Sequence, residues 1–206
     1  MTDDIPPAPT PPFRTERLIL RDFREDDFDD VHAYAVDPEV VRYMDWGPNT
    51  PEVTRQYLCL ALQQQAERPS QVLNLAIEHA ADRRVIGSIR LEVKDPANRT
   101  ADIGYSIHRP YWGQGLVAEG ARRLLEVAFR EMGLHRVFAT CDARNRGSWR
   151  VMEKIGMRRE GLLRKANRRR DGWQDTLLYA VLAEEWAYDL VRSDPAHHQG
   201  RPGVAV

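Results

Sequence analysis

The sequence predicts one mixed α/β domain: a central mixed sheet of about seven strands covered by helices on both faces. Three observations carry this reading. Segments of strict two-residue alternation follow one another in the first half of the chain. Segments of helical period are inserted between the later strands, as layered sheet-and-helix folds require. The chain has 206 residues, 42% of them hydrophobic, enough for one packed core and too few for two.

Taken in order, residues 1–12, with Pro6, Pro7, Pro9, Pro11 and Pro12, read as a disordered or extended arm. The folded domain is expected over 13–192, and 193–206, rich in Pro, Gly and His, as a disordered tail. Leu18 and Leu20 mark a first strand. Glu25, Asp26 and Asp27 then open a helix, where acidic side chains suit the positive end of the dipole. Val40 to Gly47 reads as a loop. Thr50 before Pro51 is a helix start, a capping hydroxyl followed by proline at the first position, and that helix runs to about Ala66. Leu73, Leu75 and Ile77 alternate with polar or small neighbours, as do Ile89, Leu91 and Val93, and then Ile103, Tyr105 and Ile107. Val117, Ala121, Leu124, Leu125, Ala128 and Met132 recur at helical spacing from about Gln114 to a stop at Gly133. A strand at Val137, Ala139 and Cys141 follows, then a helix from Asn145 to Ile155 stopped by Gly156. Two final strands, about Met157 to Ala166 and Gln174 to Leu182, flank a basic hairpin turning at Asp171-Gly172.

Composition narrows the function. A net charge of -1 argues against a general nucleic-acid binder, which needs a sustained positive field. Cys59 and Cys141 each lie in an apolar run and read as buried thiols in a reducing, cytoplasmic setting. Neither has metal-ligand neighbours at the usual spacing, so no metal site is expected. No apolar stretch approaches the ~20 residues of a membrane span, and the N-terminus does not read as a signal peptide.

The chemistry concentrates in two segments. The first runs from Ile103 through Gly113-Gln114-Gly115 to Glu119: a strand, a short turn and the start of a long helix. A helix start has four backbone N–H groups without internal partners. Here the entry supplies no short capping oxygen, and glycine lets another group come close. Free N–H groups at a positive dipole end make an anion site that a pyrophosphate would fit. A glycine turn capped by water is the plainer reading, and neither the dinucleotide nor the P-loop fingerprint is present. The second segment is Asn145-Arg146-Gly147-Ser148 through Lys154-Ile155-Gly156-Met157, where Asn145 would serve as an ordinary helix cap.

In this order and spacing the two segments resemble the GCN5-related N-acetyltransferase (GNAT) family, and within it the RimJ/RimL-type branch of ribosomal-protein N-terminal acetyltransferases. The motifs that carry the resemblance are Ile103-Gly104-Tyr105, Tyr111-Trp112-Gly113-Gln114-Gly115-Leu116-Val117-Ala118-Glu119, and Asn145 to Met157. The entry Arg14 to Arg21 and the ending Asp175 to Tyr179 with Glu185-Trp186 match as well. One departure is Pro110, where the wider family often has Gln or Arg.

The resemblance implies a GNAT fold with a mostly antiparallel sheet, acetyl-CoA as co-substrate, and direct transfer of acetyl to a primary amine. It implies a coenzyme site at Ile107, His108, Gly113, Gln114, Gly115, Leu116, Val117, Ala118 and Asn145. Backbone N–H groups from Gln114 to Ala118 would hold the diphosphate, and that of Ile107 or His108 would meet the thioester carbonyl. It sets Asn145 and Ser148 beside the sulfur arm, with Ser148 as proton donor to the departing thiolate and Tyr179 as the alternative. A base must take a proton from the amine. Asp102 and Glu92, on the polar side of their strands, are the candidates, with Glu78 behind them and His108 a further choice; surface charge is the plain reading of each. The acceptor, a protein N-terminus or a small-molecule amine, would meet the first two helices, the loop from Tyr43 to Asn49 and the last hairpin, with Trp46, Trp112 and Trp173 near the mouth. A catalytically silent acyl-CoA-binding module is the competing function, and both monomer and homodimer remain open.

Overall fold

The computed structural model describes residues 5–169 and 171–186. Along the chain come β1 (Phe13–Arg14), β2 (Leu18–Arg21), a 3-10 turn (Glu25–Asp27), α1 (Phe28–Ala35), α2 (Pro51–Ala66), β3 (Val72–His79), β4 (Arg84–Asp95) and β5 (Thr100–Ile107). A 3-10 turn (Arg109–Tyr111) leads to α3 (Leu116–Glu126), which ends in a π-helical turn (Val127–Glu131). Then follow β6 (Arg136–Asp142), α4 (Arg146–Lys154), β7 (Arg158–Arg169) and β8 (Gly172–Leu182).

The strands form one sheet in the order β1-β2-β3-β4-β5-β6-β8-β7. Every neighbouring pair is antiparallel except β5 and β6. The mixed, mostly antiparallel sheet is therefore as expected, with one strand more, the two-residue β1. Alternation decides what each face buries. Leu75, Ile89, Leu91, Ala101 and Ile103 join Leu124, Leu125 and Met152 in one core cluster under α3 and α4. Ala76 joins Val31, Tyr34 and Leu58 in a second cluster under α1 and α2. The six apolar positions read as the inner stripe of α3 are all buried.

Several expectations change. Residues 5–12 carry no helix or strand, as an arm would, yet Ile5 is only 5% exposed within the main core and Ala8 N–H donates to Ser70 O at 2.9 Å. An apolar residue between prolines finds a hydrophobic seat that composition alone conceals. The expected tail at 193–206 lies outside the described residues, as does the end of the expected domain at 187–192. Asp27 does not merely face a helix dipole: it is buried against Arg21, which also holds Glu78 at 2.5 Å. Cys59 is exposed, not buried. In a helix of 3.6 residues per turn, Leu58 and Ala61 face the core and the two residues between them turn outward. The last hairpin pairs Arg169 with Gly172, so Gly172 is a strand residue and not part of the expected turn. Among the described residues no helix is long and apolar enough to cross a membrane.

Candidate active site

The site begins with an interrupted ladder. β5 and β6 pair only at Thr100–Arg136, Ala101–Val137 and Asp102–Phe138. Beyond these pairs β5 continues to Ile107 and β6 to Asp142 without each other. The two halves of the sheet splay apart, and a cleft of about 800 Å³ opens between them. Antiparallel pairing fixes which groups point into it. His108 N–H donates to Ile86 O at 2.7 Å, so even-numbered residues of β5 bond toward β4. By the same parity Tyr105 and Ile107, beyond the last rung at Asp102–Phe138, turn their backbone N–H groups toward the open side. Of the two donors offered for a thioester carbonyl, His108 is thus already used and Ile107 is not. Burial holds the His108 imidazole below its usual pKa, against a weaker upward pull from Asp37, and the ring is not among the cleft's lining groups.

The helix mouth follows directly. Gly113 and Gly115 take φ of 75° and 78°, the left-handed region where a side chain is strained. Gly115 caps α3 with no side-chain hydrogen bond. The helix's hydrogen bonding begins with Glu119 N–H to Gly115 O at 3.0 Å, and among the described residues no group accepts from the N–H groups of 113–118. The side chains of Leu116, Val117 and Ala118 are buried, so only their backbones face outward. Glu119 holds the loop from behind: it accepts from Thr15 Oγ1 at 2.6 Å and Arg17 N at 2.8 Å, and pairs with the Arg17 guanidinium. Arg17 in turn donates to Gln114 O. Burial pushes the Glu119 carboxyl upward, but Thr15 and Arg17 overcome it and hold its pKa below the usual range.

On the α4 side, Asn145 accepts from Ser148 N at 3.1 Å and caps the helix, leaving its amide nitrogen available. Asn145 and Ser148 both line the cleft. The Tyr105 hydroxyl, which the sequence did not single out, donates to Ser148 O at 3.0 Å and lies 3.3 Å from Ser148 Oγ. Burial drives its pKa well up, so this phenol keeps its proton. Cys141 stands in the same wall, its thiol pushed up to about 11 by burial. Tyr179 is elsewhere: it donates to Glu153 at 3.1 Å and does not line the cleft.

The opposite wall carries the even positions of β5. Asp102 lines the cleft with Ser106, Ser88, Arg90, Asn74 and Tyr57. Its Oδ1 is buried without a hydrogen-bond partner among the described residues. Burial raises its pKa, and Arg90 and Lys94 restrain the rise. Glu92 sits across the ladder from Asp102 but outside the cleft lining, bound to Arg90 at 2.5 Å and Lys94 at 2.6 Å. Glu78 is committed to Arg21. The three carboxylates drawn from the strands thus reduce to one in the cleft. The outer part of the cleft is lined by Met44, Trp46 and Asn49, by Gln56 and Leu60 of α2, and by Asn167 and Gln174 of the hairpin. Trp112 instead bonds Ile107 O at 2.8 Å, and Trp173 is 61% exposed on the hairpin.

Comparison with known proteins identifies the family to which this fold belongs. Residues 17–158 match the model of the acetyltransferase (GNAT) domain. The chain is 34% identical over 175 residues to the N-acetyltransferase YnaD of Bacillus subtilis, covering 84% of this chain and 97% of YnaD. It is 31% identical over 100 residues to the ribosomal-protein-serine acetyltransferase of Escherichia coli, covering 48% of this chain and 56% of that one. The crystal structure of a GNAT-family acetyltransferase from Bacillus anthracis superposes with a TM-score of 0.74 at 34% identity, over 83% of this chain and 98% of that one. The chain belongs to the GNAT acetyltransferase family.

Proposed function

We propose that the protein transfers acetyl from acetyl-CoA to a primary amine by direct attack inside the β5–β6 cleft. One observation carries the reading: the unpaired edge of β5 leads straight to the uncapped mouth of α3. A thioester arm laid along that edge would bring its diphosphate to the N–H groups of 113–118. Its carbonyl oxygen would lie near the N–H of Ile107, a fixed dipole where negative charge develops. The amine nitrogen bonds to the carbonyl carbon, and the carbon–sulfur bond breaks. The amine proton passes to the Asp102 carboxylate, directly or through water. The departing thiolate takes a proton from Ser148, which regains one from solvent. Asn145 holds Ser148 in register.

Both a protein N-terminus and a small amine fit this chemistry. The ribosomal-protein branch draws support from the sequence motifs and from the half-length match to the ribosomal-protein-serine acetyltransferase. The test is a thiol-release screen against small amines and N-terminal peptides, paired with calorimetry of acetyl-CoA. Release of CoA with at least one amine is expected. Tight binding of acetyl-CoA with no release for any amine would establish a silent binding module instead.

A further inference from the structure

We propose that β7 is a docking surface for an acidic, extended polypeptide segment, whose end then enters the cleft. β7 is the last strand of the sheet, and among the described residues nothing pairs with its outer edge. Between register irregularities at Arg159–Gly161 and Leu163–Asn167, the mostly exposed edge of this strand offers backbone donors and acceptors that fit an added strand. The charge on this strand selects the partner. It carries Arg158, Arg159, Arg164, Lys165, Arg168 and Arg169 against a single acid, Glu160, in a chain whose net charge is -1. Arg158 is paired with Glu185, Arg169 with Asp45, and Glu160 with Arg136. Arg159, Arg164, Lys165 and Arg168 have no ion pair among the described residues, and all four are exposed.

Edge strands often carry charges and bulges simply to discourage pairing. The irregularity between Leu163 and Asn167 serves that purpose. It does not explain Leu162, Leu163 and Trp173, exposed by 44%, 46% and 61% beside the charges. A second copy of the strand would meet like charges and be repelled, whereas an acidic segment with apolar side chains is complementary. RNA matches the charge but not the free backbone edge. The hairpin also reaches the chemistry, since Asn167 and Arg169 line the cleft. This last link rests on the acetyl-transfer reading above.

The docking itself is tested without catalysis. A fluorescent ten-residue peptide alternating Glu and Val, blocked at its N-terminus, is titrated against the full chain by anisotropy, beside a Gln/Val counterpart and an oligouridylate RNA. The Glu peptide should bind most tightly and weaken as salt is raised. The variant with Arg159→Gln, Arg164→Gln, Lys165→Gln and Arg168→Gln should bind it at least about tenfold more weakly at an unchanged melting temperature. Should that variant fail to fold, the salt series on the unaltered chain decides. With free N-termini, acidic peptides should lose kcat/KM in the variant while neutral peptides and a small amine do not. Equal affinity for Glu and Gln peptides, tighter binding of RNA, or an unchanged preference among acceptor peptides each overturns the proposal. If no amine is acetylated at all, the proposed function falls, and the blocked peptide still reports on the strand.

Discussion

Ser148 and Tyr105 show how one residue depends on another. The phenol bonds the Ser148 carbonyl, and its oxygen lies within reach of the Ser148 hydroxyl. A group that keeps its proton acts here by position. Ser148→Ala is expected to lower kcat about tenfold or more at saturating acetyl-CoA. Tyr105→Phe should lower kcat with little change in KM for acetyl-CoA, and the double variant should match Ser148→Ala alone. Additive losses in that cycle would separate the two residues. Asp102 gives a second test. As the proposed base it must be ionised to accept a proton, and burial raises its pKa. Activity should therefore fall as pH drops through a midpoint above the ~3.9 of a free aspartate, and Asp102→Asn should remove that acid limb. That Ser148, Asn145 and Asp102 would face one cleft was legible from motif and strand alternation. Tyr105 was not: its alternation marks it as a core residue, and only the placement of α4 shows where its hydroxyl ends. Glu92 and Glu78 looked equivalent to Asp102 because alternation gives the face and not the partners. Arg21 holds Glu78 at 2.5 Å, and Arg90 and Lys94 hold Glu92 at 2.5 and 2.6 Å, whereas Arg90 reaches Asp102 only at 3.5 Å.

The α3 mouth belongs to the element scale, because no side chain forms it. Its glycines were readable from the sequence, and so was the missing cap. The strut behind it was not, since Glu119 meets Thr15 and Arg17 about a hundred residues away. Glu119→Gln is expected to cost about 2 kcal/mol at neutral pH, the scale of hydrogen bonds to a charged group. The sign of the pH effect follows from the depressed pKa. The contribution is complete above the ~4.3 of an unfolded glutamate and disappears as pH falls through the lower folded value. Chemical denaturation of both forms at pH 7 and pH 3 measures this, and the gap should narrow at the lower pH. Loosening the strut should also raise KM for acetyl-CoA more than it changes kcat, because Arg17 fixes Gln114 O. In α2, by contrast, the apolar run around Cys59 misled: burial in a helix follows angle, and composition does not report it.

For the whole molecule the sequence foretold strands, helices and their order. It could not foretell that the one parallel pairing stops after three residues, because a ladder's end leaves no mark in the alternation of either strand. Acetyl-CoA laid in the opening should protect the amides of Tyr105 and Ile107 from hydrogen exchange, while those of β3 stay as they are. At a hundredfold excess over Kd the folded state should gain about 2.7 kcal/mol. The same short seam has a mechanical consequence. Ala101 and Val137, neither exposed at all, are the middle rung where the two leaves of the sheet meet, as pages meet at a narrow spine. A bulkier residue at 101 has no empty space beside it and presses on the packed layer of α3 and α4 against which the seam rests. In the proposed reaction the opening in front of that seam would then be braced from behind, by a residue that touches neither donor nor acceptor.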